Sequence, residues 1–274
     1  MANKQNSLRI PETLRKVKNI VGVFSAKGGV GKSAISLSLA LSLKDKGYKV
    51  GLVDADIYGP SQPSMLNSSA GELEVKNEKI IEPLFKRGIK FISMGLISSA
   101  KMPVIWRGPM VSGAVMQLLS QTDWGELDYL IIDTPPGTGD VQLTLLQRIP
   151  ITGTLIVTTP QKVSISDCRK GIEMIKKLKV PILGLIENMS WFQPQSDKKY
   201  YLFGKDGGKA LAEEYSLDLL TQIPLEETEE DSLISDIPKL KNLFKDLSTK
   251  VEKKILEIKK NTSEKIPQLT INNE

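Results

Sequence analysis

The sequence contains no histidine, and among its 274 residues there is one cysteine, Cys168. Without imidazole there is no Ser-His-Asp triad, no Cys-His nucleophile pair and no imidazole base near neutral pH. A lone thiol forms no internal disulfide, and one protomer cannot assemble a zinc or iron-sulfur site from cysteines. Any catalysis must therefore run on carboxylates, lysine, Ser or Thr hydroxyls, backbone dipoles or a bound cation. Apolar runs are short as well. None reaches the 18 residues of a membrane-spanning helix, and the start, MANKQNSLRIPETLRKVK, lacks the apolar centre of a signal peptide, so a cytoplasmic protein is expected.

The chain has a net charge of +5, which would suit an anionic partner such as nucleic acid. The location of the charge argues against that reading. Residues 1 to 19 hold five Lys or Arg against one acid, and residues 239 to 265 hold nine Lys against four acids. The stretch between them is mildly acidic, so a nucleic-acid partner is not expected.

Short, β-branched apolar runs recur at 20–25, 50–54, 89–94, 129–133, 154–159, 182–187 and 219–224. They read as strands covered on both faces of a parallel sheet. Helical patterns lie between them at 33–46, where Leu37, Ala40, Leu41 and Leu43 recur, and at 109–121, 139–148, 164–178 and 205–215. This alternation predicts a doubly wound, mostly parallel α/β domain over 18–238, with helices on both faces. Residues 1–17 read as a basic extension. The segment from Leu66 to Arg87 reads as a long connection with short strands. From 239 to 261, Leu240, Leu243, Leu247, Val251, Ile255 and Ile258 fall at three- and four-residue steps with Lys between them. That is an amphipathic helix packed on the domain, or alternatively one lying on a membrane surface or a partner. Residues 262–274 read as a disordered tail.

Directly after the first strand comes SAKGGVGKS, followed by the first helix. Gly28, Gly29 and Gly31 let the backbone wrap so that its amides converge on a polyphosphate at the helix N-terminus. Lys32 is placed to neutralise the β and γ oxygens, and Ser33 to ligate magnesium. The nucleotide-binding stretch runs through Ala26, Lys27, Gly28, Gly29, Val30, Gly31, Lys32, Ser33 and Ala34. Ala26 stands where the general phosphate-loop pattern has glycine, and Lys27 is an additional cation. In this respect KGGVGKS resembles the deviant Walker A motif of the nitrogenase iron protein, Min, Par and Mrp ATPases. That resemblance implies that Lys27 reaches across a homodimer to the partner's nucleotide. The second strand then ends in Asp54 and Asp56, at the carboxyl edge where open α/β sheets bind ligands. A later strand ends in Asp133, the Walker B carboxylate, with Gly137 free to approach a γ-phosphate.

The segments DADIYGPSQPSML, WRGPMVSGAVMQLL, DYLIIDTPPGTGDVQLTL, VTTPQKVSISDCRKGIEM and PILGLIENMSWF together resemble the Mrp family of P-loop ATPases, also called iron-sulfur cluster carriers. The match runs from about Lys18 to Pro238. The 17 residues before the first strand are too few for the separate N-terminal domain of that family. The resemblance implies a dimeric, magnesium-dependent ATPase in which Lys27, Lys32 and Asp56 act in catalysis. Asp54 and Asp56 would form the first switch, with Asp56 orienting the attacking water, and Pro136 and Gly137 the second. Ser33, Asp54 and Asp133 would serve the magnesium, Asn188 would read adenine, and the segment from Pro224 would complete that pocket. It also implies clusters carried to apoproteins, although the family's C-x-x-C is missing. Gln193, Gln195 and Ser196 stand where sulfur is expected, and Cys168 reads as a packed helix residue. No cluster ligands are identifiable in the chain, so a partner or small thiol would have to complete the site. The alternative is a nucleotide-switched scaffold or a partitioning-type ATPase that binds no cluster. Trp191, Phe192, Tyr200, Tyr201 and Phe203 read either as a partner-contact patch or as buried aromatics closing their loop.

Overall fold

The computed structural model describes residues 10–69, 73–76, 80–98, 108–194, 198–227 and 233–263. In chain order its regular elements are β1 (Val17–Phe24), α1 (Lys32–Asp45), β2 (Val50–Asp54), α2 (Gln62–Met65), β3 (Glu74–Lys76), β4 (Ile80–Glu82), β5 (Leu84–Lys86), β6 (Ile89–Ser93), α3 (Met94–Ser98) and α4 (Gly108–Gln121). They continue with β7 (Leu127–Asp133), α5 (Asp140–Arg148), β8 (Gly153–Thr158), α6 (Lys162–Lys177), β9 (Ile182–Glu187), α7 (Gly207–Tyr215), β10 (Leu219–Gln222) and α8 (Pro238–Ser263). Eight strands form one sheet in the order β10-β9-β8-β1-β7-β2-β6-β5. All neighbours are parallel except β5, which runs antiparallel to β6 at the edge. The seven apolar runs supply the seven parallel strands, and the fold class is the doubly wound one. The 66–87 connection carries the short strands: β3 and β4 pair as a separate ribbon, and β5 joins the main sheet.

Each face of the sheet has its own core. On one face, α4 to α7 bury Val111, Leu118, Leu145, Ile172 and Leu211 against Ile20, Leu130 and Ile132. On the other, α1 and α8 pack together over Val21, Val23, Leu52 and Ile131. Helix α1 is buried nearly all round, because α8 covers the side that the sheet does not. Leu240, Phe244, Leu247, Val251 and Ile255 of α8 are at most 2% exposed. At roughly 1.5–3 kcal/mol per fully buried side chain, that stripe is a large stabilising contribution before ordering entropy is counted.

The amino-terminal stretch is anchored to the body at Thr13 and Leu14, while Ile10 is exposed. Leu14 is buried, and the Thr13 hydroxyl donates to the carbonyls of Leu119 and Ser120 at the end of α4. Val17 already belongs to β1, paired with Leu127. Residues 1–9 of the expected extension and 264–274 of the expected tail lie outside the described residues.

The strand order reverses on either side of β1, since β7 and β2 lie to one side and β8 and β9 to the other. The glycine-rich loop leaves β1 at that switch point, where a crevice opens at the carboxyl edge of the sheet.

Candidate phosphate and metal site

Three chain segments converge at that crevice. The loop from Ser25 to Ser33 wraps between β1 and α1, with Gly29 and Gly31 in the left-handed region. Among the described residues, the amides of Gly28 to Ser33 have no backbone or side-chain acceptor. They are the unpaired donors that a helix start presents to an anion. Gly31 is needed twice over: its φ is +83°, and an added Cβ would overlap the Asn188 side-chain amide.

Beneath the loop, β2 and β7 run side by side, and Asp54 is directly opposite Asp133 in the parallel register. Both carboxylates are completely buried, and the Lys32 ammonium, 5% exposed, forms an ion pair with Asp133 Oδ1. The Ser36 hydroxyl also donates to Asp133 Oδ1, at 3.2 Å. Asp54 accepts from the Ser93 hydroxyl at 3.0 Å and from the amides of Asp56 and Gln62. One cation for two buried acids leaves a surplus of negative charge. Burial first, and the neighbouring Asp133 second, push the Asp54 carboxyl up to about 7.

Asp56 lies at the rim. Its Oδ1 accepts from the amides of Tyr58 and Gly59, both at 3.1 Å, which fixes the turn after β2. Asp56, Gly28, Gly29, Pro135 and Pro136 line a common cleft of about 580 Å³. Gly137 donates its amide to the Ser25 carbonyl at 2.9 Å, joining the segment after β7 to the loop. Lys27 is exposed beside this cleft and forms no ion pair with any described residue.

Across the loop from the carboxylates, Asn188 follows β9. Its Nδ2 donates to the Val30 carbonyl at 2.8 Å, and its backbone amide donates to Thr158. Pro224 is brought alongside by backbone bonds from Ser190 to Ile223 and from Leu225 to Trp191. Glu187, fully buried, accepts from the Ser190 hydroxyl, the Gln222 amide and the Gly208 amide, so it braces this corner.

Of the site residues read from the sequence, Lys32, Asp54 and Asp133 are brought together beneath the loop, Asp56 lines the cleft, Asn188 and Pro224 lie on the other side of the loop, and Lys27 is exposed. The sequence reading missed Gln62, Ser36 and Glu187. Ser36 sits one helical turn after Lys32, a spacing that would have placed it on the same face; no motif position distinguishes the other two.

The donor set suits a hard divalent cation held largely through water, because it consists of two carboxylates and the Ser33 hydroxyl beside a phosphate-binding loop. It does not suit an iron-sulfur cluster. Cys168 is 1% exposed on α6, and burial pushes its thiol up to about 12. Among the described residues no group of three or more Cys, Asp or Glu side chains is arranged to hold a metal ion. Gln193 is half-buried; Gln195 and Ser196 lie outside the described residues. The aromatics divide: Trp191, Phe192 and Phe203 are half-buried, with the Lys199 ammonium 3.9 Å from the Trp191 ring, while Tyr200 and Tyr201 are exposed. No described helix is long and apolar enough to cross a membrane.

Comparison with known proteins matches residues 16–262 to the family described as "ParA: NUBPL iron-transfer P-loop NTPase". The iron-sulfur cluster carrier protein of Synechocystis sp. is 48% identical over 228 residues, covering 81% of this chain and 65% of that protein. The iron-sulfur cluster transfer protein NUBPL of Mus musculus is 49% identical over 212 residues, covering 76% of this chain and 66% of that one. The chain thus spans about two thirds of the length of these relatives. Among solved structures, a nucleotide-binding protein from Archaeoglobus fulgidus in complex with ADP aligns with a TM-score of 0.69 and 36% identity. That alignment covers 86% of this chain and 90% of the other.

Proposed function

Since this chain belongs to the family of NUBPL iron-transfer P-loop NTPases, we propose that it binds and hydrolyses magnesium ATP as a homodimer and uses that cycle to pass iron-sulfur clusters to apoproteins. The observation that carries the nucleotide part is the meeting of Lys32, Ser33, Asp54 and Asp133 beneath a loop of unpaired amides. The cargo is inferred from what the family description and the relatives' names say.

Phosphoryl transfer to water calls for positioning and charge neutralisation more than for a strong base, so a chain without histidine is equipped for it. Lys32 leaves Asp133 and takes up the β and γ oxygens, while the Gly28 to Ser33 amides hold the rest of the phosphate chain. Ser33, Asp54 and Asp133 are the residues that would hold magnesium, which when bound would supply neutralisation of charge on the phosphate oxygens. Asp56, at the cleft rim, orients the attacking water. Lys27 enters the partner protomer's site and adds charge only when two copies close. Asn188 and Pro224 border the base.

The cluster is cargo, and the single buried thiol leaves its ligands to a second protein or a small thiol. Equilibrium binding of ATP and ADP, steady-state phosphate release and sedimentation in both states test the nucleotide reading. Anaerobic reconstitution with iron, sulfide and glutathione, followed by metal analysis and transfer to an apoferredoxin, tests the carrier reading. Hydrolysis without any retained or transferred iron would favour a nucleotide-switched scaffold instead.

A further inference from the structure

Gln62 opens the short helix α2, six residues beyond Asp56, and its side chain is wholly buried. It bonds to each of the three residues assigned above to magnesium. Its Nε2 donates to the Ser33 carbonyl at 2.9 Å and to Asp133 Oδ2 at 3.0 Å, and its backbone amide donates to Asp54 Oδ2 at 3.3 Å. Both acceptors of Nε2 are oxygens without a hydrogen. Turning the side-chain amide over would set Oε1 against a carbonyl and a carboxylate, so its orientation is decided by chemistry. The other end, Oε1, is buried and has no donor among the described residues.

A buried carbonyl oxygen without a donor is rare in folded proteins and calls for a reason. Here it lies one amide width from an Nε2 that touches a buried carboxylate. A further protein acceptor would be repelled there, and among the described residues no protein donor reaches it. The water shell of a hard cation supplies donors without acceptors, which is what this oxygen lacks.

We propose that Gln62 is a positioning residue for magnesium: Oε1 accepts a hydrogen bond from a metal-bound water while Nε2 holds Asp133 and the Ser33 carbonyl in place. The inference rests on the reading that a magnesium nucleotide occupies this loop. Because the same residue also holds Asp54 and begins α2, it links the filling of the metal site to the order of the segment from Asp54 to Met65.

The test is titration of a fluorescent ADP analogue into the whole protein with magnesium and with EDTA, together with free-manganese EPR on the ADP complex. For wild type, magnesium strengthens ADP binding. The Gln62→Met variant keeps the shape and removes both amide functions; its magnesium enhancement and manganese affinity should fall roughly three- to tenfold, the worth of one such hydrogen bond. Its ADP affinity in EDTA should stay within about twofold of wild type by the same reasoning, which a purely structural role would not allow. The Gln62→Glu variant keeps an acceptor at the Oε1 position but sets its second oxygen against Asp133 and the Ser33 carbonyl, so it should be less stable without metal, while the added negative charge retains or raises the metal dependence. An undiminished enhancement in Gln62→Met, an equal loss in EDTA and in magnesium, or a loss in Gln62→Glu matching that in Gln62→Met overturns the proposal. A wild-type protein that ignores magnesium altogether defeats the nucleotide reading first.

Discussion

The Lys32 ammonium and the Asp133 carboxylate form a buried ion pair at the centre of the crevice. On the proposed function these are the two groups that a magnesium nucleotide would separate, Lys32 going to the phosphates and Asp133 to the metal. Without nucleotide each compensates the other, which keeps the loop's main cation occupied.

Removing one partner from that pair leaves an uncompensated charge in the interior. Lys32→Met should destabilise the nucleotide-free protein by about 3 kcal/mol and weaken ATP binding at least roughly tenfold. The double variant Lys32→Met, Asp133→Asn should recover much of the stability and none of the binding. Urea unfolding of the four proteins of this cycle decides it; additive losses would mean that the pair is not coupled.

Asp54 makes stability depend on pH. Its folded pKa of about 7 exceeds the ordinary value of 3.8, so the folded chain binds the extra proton between those limits. Stability attached to this group is therefore full below about pH 4, is lost as pH rises, and is gone above about 7. Asp54→Asn removes the titration. In EDTA without nucleotide, the variant's stability relative to wild type should improve by roughly 2 kcal/mol between pH 5 and pH 8. A constant difference across that range would contradict the assignment.

Lys27 is exposed and unpaired among the described residues, so its replacement should leave the melting temperature of the monomer unchanged. Lys27→Ala should nevertheless lower ATP turnover roughly tenfold or more, as loss of a charge aimed at the transition state does. Mixing the variant with an Asp56→Asn protein should restore part of the activity, because each mixed dimer keeps one site with both groups intact. Full turnover by Lys27→Ala alone would remove the cross-dimer role.

Burial holds the Cys168 thiol neutral and sheltered, with a pKa up to about 12. Iodoacetamide should label it slowly in the folded protein and readily in urea. Cys168→Ala should cost about 1–2 kcal/mol through lost packing and leave the iron content after reconstitution unchanged. Iron loading that falls with this substitution would make the thiol a ligand.

Sequence periodicity alone was enough for the strands and principal helices, because seven runs covered on both sides carry a signal that polar loops interrupt cleanly. The loop from Ala26 to Ser33, with Asp54, Asp56 and Asp133 at strand ends, was legible for the same local reason. Each function there depends on a residue type at a fixed distance from a strand or helix end. Helix α1 was less transparent. Its apolar residues point several ways, and the packing of α8 from the far end of the chain explains why Leu37 and Leu39, on opposite faces of the helix, are both buried.

What the amino-acid sequence by itself determined was the βα alternation, the phosphate loop, and the lack of histidine and of paired thiols. Tertiary structure decided which long-range neighbours those groups have. The register of β2 against β7 sets Asp54 opposite Asp133, folding brings Lys32 between phosphate loop and carboxylate, and α2 delivers Gln62 to all three. A side chain's burial and its partners across the sheet are set by the packing of segments remote in the chain, and no local pattern of residues encodes them.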